Sequence, residues 1–497
     1  MAYKVNIIGA GISGLSAGCY LRMNGYDTEI FELHTVPGGL CTSWKRKDYT
    51  FDGCIHWLVG SSPRDNFYSL WNELIDMKKI EFVDYDEFFR VEDLDGSCIR
   101  VFTNVDKLEK ELQEKAPEDS ELITDFTSAI RKFLKLSMPV HKAAETCNLF
   151  DGFKQLKTFL PYLGALKKWS GISAQEYADL CKNKLLKKTF ELMFIPEMSV
   201  LFLIFTLVWM HKKSAGYPIG GSLKFARLVE KTYIDLGGKI NYKSKVTKIL
   251  TENDSAQGIQ LEDGTICNSD LVISAADGHY TIFEMLEGKY LNDKIKNYYN
   301  NYKVFPSYVQ VSLGISRSFK DFPHALGILL EKPLIIDSES HFDYCPVRIF
   351  NFDPTLAPNG KTVLTCTFTT PNYTYWNDLR NSDKEKYLSE KERIGREVIE
   401  ILDNKFGNIQ ENVEVIDVST PATVTRYTNN WKGSFEGWIL TPKVGLRQMK
   451  KTLPGLNNFY MIGQWVVPGG GLPTAIKSGR DVAQIICKKD SKKFTAT

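Results

Sequence analysis

The segment "VNIIGAGISGLSAGCYLRMNGYDTEIFE", residues 5–32, constrains this chain more than any other part of it. An apolar strand runs into a glycine loop, a helix and a second strand, "DTEIF", which is followed at once by Glu32. Gly9 permits the tight turn, Gly11 lets the backbone approach a pyrophosphate, and Gly14 lets the helix pack on the strand. An anion held there sits at a helix N-terminus, where free N–H groups and the helix dipole favour it. Glu32 can accept hydrogen bonds from ribose hydroxyls and would repel a 2′-phosphate. Because strand, loop, helix and acidic terminus stand in register, the segment predicts a dinucleotide site rather than a chance glycine turn.

Two further stretches belong with it. In "PGGLCTSWKRKDYTFDGCIHWLVG", residues 37–60, Gly38 and Gly39 would let the chain pass close to the pyrophosphate or ribitol. Lys45, Arg46 and Lys47 read first as a solvated loop face and second as contacts to phosphate or an acidic surface. Near the C-terminus, "NNFYMIGQWVVPGGGLPTAIKSGRDVAQIIC" ends a strand at Gly463, turns through Gly469–Gly471, and opens a helix at Pro473 and Thr474. That helix end could stabilise negative charge by about 0.3–2 kcal/mol.

These motifs resemble FAD-dependent oxidoreductases related to phytoene desaturase, carotenoid isomerase and retinol saturase. The Gly-Gly followed by Phe-Asp and Gly is shared with the wider superfamily that includes amine oxidases. "GCIHWLVG" is most similar to the retinol saturase branch, and "TPATVTRYTNNWKGSFEGW" to the segment before the flavin-contacting end. The chain departs from the amine oxidases at Leu40, where they commonly carry Arg. The resemblance implies that Gly9, Gly11, Ser13, Gly14, Glu32, Gly38, Gly39, Leu40, Val246, Gly463, Gln464, Gly471, Leu472 and Thr474 bind FAD. It also places His56 at a loop folded over the cofactor. Such a His, with an ordinary pKa of about 6.5, could exchange a proton; a core histidine satisfied by one backbone bond is the plainer reading. Tyr427 and Tyr217 are further catalytic candidates.

The expected fold is α/β: a Rossmann-type FAD-binding domain interleaved with a substrate domain of mixed β-sheet and a helical, lipid-facing subdomain. FAD-binding parts are expected at 1–61, 216–285 and 416–497, a helical substrate or lid region at 62–215, and a β-rich substrate domain at 286–415. Within them, Asp263-Gly264 marks a hairpin, and "DLVISAA" a buried strand returning to the first sheet. The run "MSVLFLIFTLVWM", Met198–Met210, would span about 20 Å as a helix, short of a roughly 30 Å hydrocarbon core. It reads as a buried helix, or as the wall of a lipid tunnel or a membrane-dipping surface. The Lys-rich text before it, "FLPYLGALKKW" and "CKNKLLKKTF", has an interfacial character.

A formal charge of +2 on 497 residues gives no reason to expect nucleic acid. Ten scattered cysteines and seven histidines share no ligand spacing, which argues against a metal site. With a strand starting at Tyr3, the chain reads as cytoplasmic, with peripheral membrane contact open. No oligomeric state is assigned. The expected function is an FAD-dependent oxidoreductase acting on carbon–carbon bonds of a polyene or isoprenoid-like lipid: a saturase first, a desaturase or isomerase otherwise. NAD(P)H would be a transient donor. The rivals are a flavin-dependent amine oxidase and a lipid-binding flavoprotein without turnover.

Overall fold

The computed structural model describes residues 3–445 and 449–496. β1 (Lys4–Ile8) lies at the centre of a five-stranded sheet, with β2 (Asp27–Phe31) on one side and Leu271–Ser274 on the other. Lys239–Asn241 and Phe459–Met461 take the edges, and every pairing is parallel. Val5, Ile7, Ile30, Val272 and Ile273 are wholly buried, as a parallel sheet covered on both faces requires. Three distant chain segments thus build one sheet. A crevice opens beyond the strands' carboxyl ends where the strand order reverses about β1, the usual ligand position in such sheets.

The glycines on the first helix behave as their spacing predicts. A Cβ at Gly14 would lie 2.0 Å from the Gly9 carbonyl oxygen, so only glycine lets α1 (Ile12–Met23) start so close to β1. On the same layer the C-terminal helix, Leu472–Lys489, presses on α1: a Cβ at Gly479 would fall 2.2 Å from Ser16 Oγ. The predicted hairpin forms between Ser255–Leu261 and Ile266–Asn268, with Gly264 at φ +86°.

A second sheet has seven strands in the order Val413–Ser419, Ser307–Ile315, Thr362–Thr370, Ser340–Ile349, Ala325–Asp337, Glu87–Glu92, Cys98–Phe102. It is mixed, because Glu87–Glu92 joins Ala325–Asp337 in parallel while the other pairings are antiparallel. Here the expectation of a helical 62–215 needs correcting. The strands at 87–102 form a hairpin around Gly96, at φ +84°, and extend the seven-stranded sheet. Their alternation is short and sits between strong helical periods, so the longer signal masked it.

Val200–His211 is a 12-residue helix, mostly buried as one of the two expectations had it. Most of it is core, but Phe202, Thr206 and Trp209, spaced as one helical stripe, line the large cavity. Among the described residues, no helix is long and apolar enough to cross a membrane. Two substitutions separate the faces. Leu203 is 2% exposed, so Leu203→Glu is expected to cost more than about 4 kcal/mol and unfold the helical layer. Phe202→Ala should keep the melting transition within a few degrees while weakening binding of an apolar ligand; equal losses of stability in both variants would make the stripe ordinary core.

Candidate functional site

One cavity of about 1390 Å³ runs from the glycine loops to the seven-stranded sheet. Its first end is built from backbone. The α1 helix begins at Gly11 and the C-terminal helix at Gly471, and neither has a side-chain cap. Their first-turn N–H groups are therefore left for a ligand, and Gly11, Ile12, Ser13, Gly471, Leu472 and Thr474 all line the space. A Cβ at Gly11 would meet no protein atom nearer than 4.0 Å. The glycine is not needed for packing; it leaves room for something else.

Gly38 docks onto this loop. Its N–H donates to the Ala10 carbonyl at 2.8 Å, and Gly11 and Gly38 form a parallel bridge. Gly38 and Gly39 sit at φ +104° and +61°, and a Cβ at Gly38 would come 2.2 Å from the Cys41 carbonyl oxygen. Leu40 lines the cavity beside them. The basic run points elsewhere: Arg46 pairs with Asp417 at 2.8 Å and Lys47 donates to the Glu414 carbonyl. The solvated-face reading of the run is the one the structure supports.

Glu32 is buried at the end of β2, where it accepts from the Ala10 N–H at 2.6 Å and the His34 N–H at 2.8 Å. Burial raises its carboxyl pKa, and those two donors oppose the shift. Val246 starts a strand along the same wall. Gly463, at φ +91°, lies against α1: a Cβ there would sit 2.9 Å from Ser13 Oγ. Gln464 lines the cavity, whereas the Thr474 hydroxyl is committed to the Gly470 and Gly471 carbonyls. Thr474 therefore shapes the turn. Glycine cradle, acidic acceptor and open helix ends are chemically suited to a dinucleotide cofactor such as FAD.

The catalytic candidates separate. His56 is exposed into the cavity, and its ring has no hydrogen-bond partner among the described residues. Enclosure by protein pushes its pKa well below the usual histidine value, with the Arg348 charge adding to the shift, so the ring is neutral near pH 7. It is not a satisfied core histidine. Tyr427 lines the cavity at the nucleotide end, edge-on to His34 at 4.6 Å, two residues past Glu32. That position suits covering the nucleotide rather than delivering a proton beside His56. Tyr217 is corrected outright: it is fully buried behind the wall, against Phe350 and Phe352, and its hydroxyl has no partner among the described residues. Its β-strand neighbours pull it into the core, which "GYPIGG" could not reveal.

Two residues escaped the sequence reading. Glu436 lines the cavity next to the glycine turn, its Oε1 within 3.8 Å of where a Gly471 Cβ would be. Its carboxyl has no hydrogen bond or ion pair among the described residues, and burial pushes its pKa up to about 8. Arg348 faces the same space from the seven-stranded sheet. Neither belongs to a local motif; only the folded chain shows that each lacks an ion-pair partner among the described residues.

Comparison with known proteins bears on this arrangement. A profile of the family described as flavin containing amine oxidoreductase matches residues 12–487. The prolycopene isomerase of Arabidopsis thaliana chloroplasts is 24% identical over 506 residues, covering 96% of this chain and 81% of that protein. A neurosporene-forming phytoene desaturase of Rhodobacter capsulatus is 24% identical, covering 97% and 93%. Among solved structures, an oxidoreductase from Methanosarcina mazei superposes with a TM-score of 0.59 at 17% identity, covering 97% of this chain and all of that one. Putrescine oxidase bound to putrescine superposes at 0.62 with 13% identity, covering 98% and 99%. At such identities the structures speak for the shared fold alone.

Proposed function

The chain belongs to the flavin-containing amine oxidoreductase family, and from that premise we propose that it exchanges hydrogen at carbon–carbon bonds of a carotenoid-like polyene lipid. It is an FAD-dependent oxidoreductase. One observation carries the finer reading: the space beyond the cofactor cradle is walled by long apolar side chains. Trp57, Phe88, Phe194 and Phe202 form one aromatic wall, with Trp57 edge-on to Phe88 at 5.4 Å. The whole cavity exceeds the roughly 300–1,000 Å³ of a single drug-sized site, which suits two occupants.

When bound, FAD supplies the hydride chemistry. The protein's share is to bind the dinucleotide through the two helix ends, exclude water with the aromatic wall, and hold a proton. His56, neutral and with no ring partner among the described residues, can accept at a ring nitrogen the proton lost in desaturation. Glu436, protonated at neutral pH, can give from its carboxyl oxygen the proton that isomerisation or reduction adds to carbon. Desaturation and isomerisation, the reactions named for the relatives, take precedence over saturation, which rests on the Gly53–Gly60 likeness alone. If electrons are drawn from NAD(P)H, the nicotinamide visits the flavin transiently.

The substrate's insolubility supports a peripheral membrane contact. Helix Leu149–Phe159 buries no residue, and Leu149, Phe150 and Phe153 are 95%, 76% and 69% exposed on a surface that also carries Lys154 and Lys157. A row of this kind beside lysines fits an anionic lipid interface. Phe150→Ser with Phe153→Ser is expected to reduce co-sedimentation with anionic liposomes by at least about tenfold, with unchanged turnover of detergent-delivered substrate. Unchanged sedimentation would remove the membrane contact.

The test of the function is direct. Mass spectrometry of lipids co-purifying with the yellow protein should find a polyene, and incubation with carotenoid polyenes should change their absorption. Peroxide release with amines and no change in any polyene would select the amine oxidase reading instead.

A further inference from the structure

We propose that Arg348 anchors a carboxylate at one end of the lipid, so that the substrate is a polyene acid rather than a pure hydrocarbon. This rests on the lipid reading above and narrows its substrate class.

The strand Ser340–Ile349 supplies the geometry. Its side chains alternate in burial, as strand periodicity requires: Cys345, Val347 and Ile349 are buried, while Phe342, Tyr344, Pro346 and Arg348 are half-buried and line the cavity, which His341 and Val347 also reach. From Phe342 to Arg348 the backbone advances about 20 Å. One face of one strand therefore offers an apolar track that ends in a single cation. Phe342, Tyr344 and Pro346 match a hydrocarbon chain; Arg348 matches nothing in a hydrocarbon.

The guanidinium is fixed but not neutralised. Its Nη2 donates to the His56 carbonyl at 2.8 Å and to the Tyr85 hydroxyl at 3.0 Å, and the group lies 5.8 Å from the Tyr85 ring and 5.6 Å from the Phe350 ring. Its Nε is buried without a partner, and Nη1 makes no hydrogen bond among the described residues. No carboxylate among those residues lies within ion-pair distance. Asp52, the carboxylate that feels the charge, is held by Ser222 Oγ at 2.5 Å, the Ser222 N–H at 2.6 Å and the Cys54 N–H at 3.0 Å. Enclosed cations are ordinarily paired, because desolvation without a counter-charge is costly. With both Nη2 hydrogens committed and Nε buried, Nη1 is the donor left to meet a carboxylate oxygen, and the uncompensated positive charge supplies the rest of the attraction. A single positive charge matches one carboxylate better than a diphosphate.

The experiment compares two ligands with one carbon skeleton on the FAD-loaded protein: all-trans-retinoic acid and all-trans-retinol. Dissociation constants are read from quenching of tryptophan fluorescence. Wild type is expected to bind the acid at least about tenfold more tightly than the alcohol. Arg348→Gln should remove that preference, and Arg348→Lys, which keeps the charge but loses the anchoring bonds to His56 and Tyr85, should keep part of it. Flavin content and melting temperature serve as controls for the fold. Equal affinity for acid and alcohol in wild type overturns the inference while leaving the lipid reading in place, and needs no variant to fold. An acid preference that survives in Arg348→Gln overturns it too. If neither ligand binds wild type, both the inference and the lipid reading fall.

Discussion

Gly11→Val is expected to give a folded, colourless protein. A Cβ at Gly11 meets only the Gly38 carbonyl oxygen, at 4.0 Å, and the residue's φ of −64° is open to any side chain, so the backbone accepts the substitution. What a branched side chain fills is the space over the first turn of α1, where a pyrophosphate must approach the free N–H groups. FAD affinity should fall by at least about 100-fold, equivalent to about 2.7 kcal/mol. Gly14→Val provides the contrast. There the Cβ lies 2.0 Å from the Gly9 carbonyl oxygen, so the helix must move off the strand and folding itself should fail. Flavin absorbance and circular dichroism, measured on both proteins, separate the cases. Full flavin content in folded Gly11→Val would place the cofactor elsewhere.

Glu436→Gln is expected to lower polyene turnover by about 10²–10⁴-fold with flavin still bound, the usual contribution of a general acid. The carboxyl titrates near pH 8, so an acid role predicts a rate that falls as pH rises through that value, and this alkaline limb should vanish in the Gln protein. His56, neutral well below its usual range, acts in the opposite sense. As a base it loses activity only as pH falls through its depressed pKa, so His56→Gln should remove the acid limb instead. Stability gives a readout independent of turnover. The folded Glu436 pKa is raised above its unfolded value, so its contribution is fully present below about pH 4.5 and is lost as pH rises toward 8. Between pH 5 and 8 wild type should lose at least about 1 kcal/mol relative to Glu436→Gln in equilibrium denaturation. A carboxyl that reaches the cavity is part-solvated, which keeps the expected figure well under the full shift. A parallel pH dependence of the two proteins would show the carboxyl ionised and rule out the acid role.

The cofactor end of this protein was legible in the sequence because its determinants are local. Gly9, Gly11 and Gly14 act through the backbone of one turn, and Glu32 closes the strand beside them, so their spacing carries the geometry. Gly38 and Gly39 were readable for the same reason: a left-handed backbone leaves few choices of residue. The apolar period of Val200–His211 likewise announced a buried helix, although which stripe faced the cavity depended on its neighbours.

The far end of the cavity was decided by the tertiary structure. Tyr217 and His56 looked alike as polar residues in glycine-flanked segments, yet packing buries one behind Phe350 and Phe352 and leaves the other facing the cavity. The hairpin at 87–102 became part of the seven-stranded sheet only because Ala325–Asp337 offered it an edge. Glu436 and Arg348 are ordinary charged residues in the sequence. Their chemistry comes from what does not stand next to them in space, and a missing counter-charge is a property of the whole fold, set by desolvation and distance rather than by any spacing along the chain.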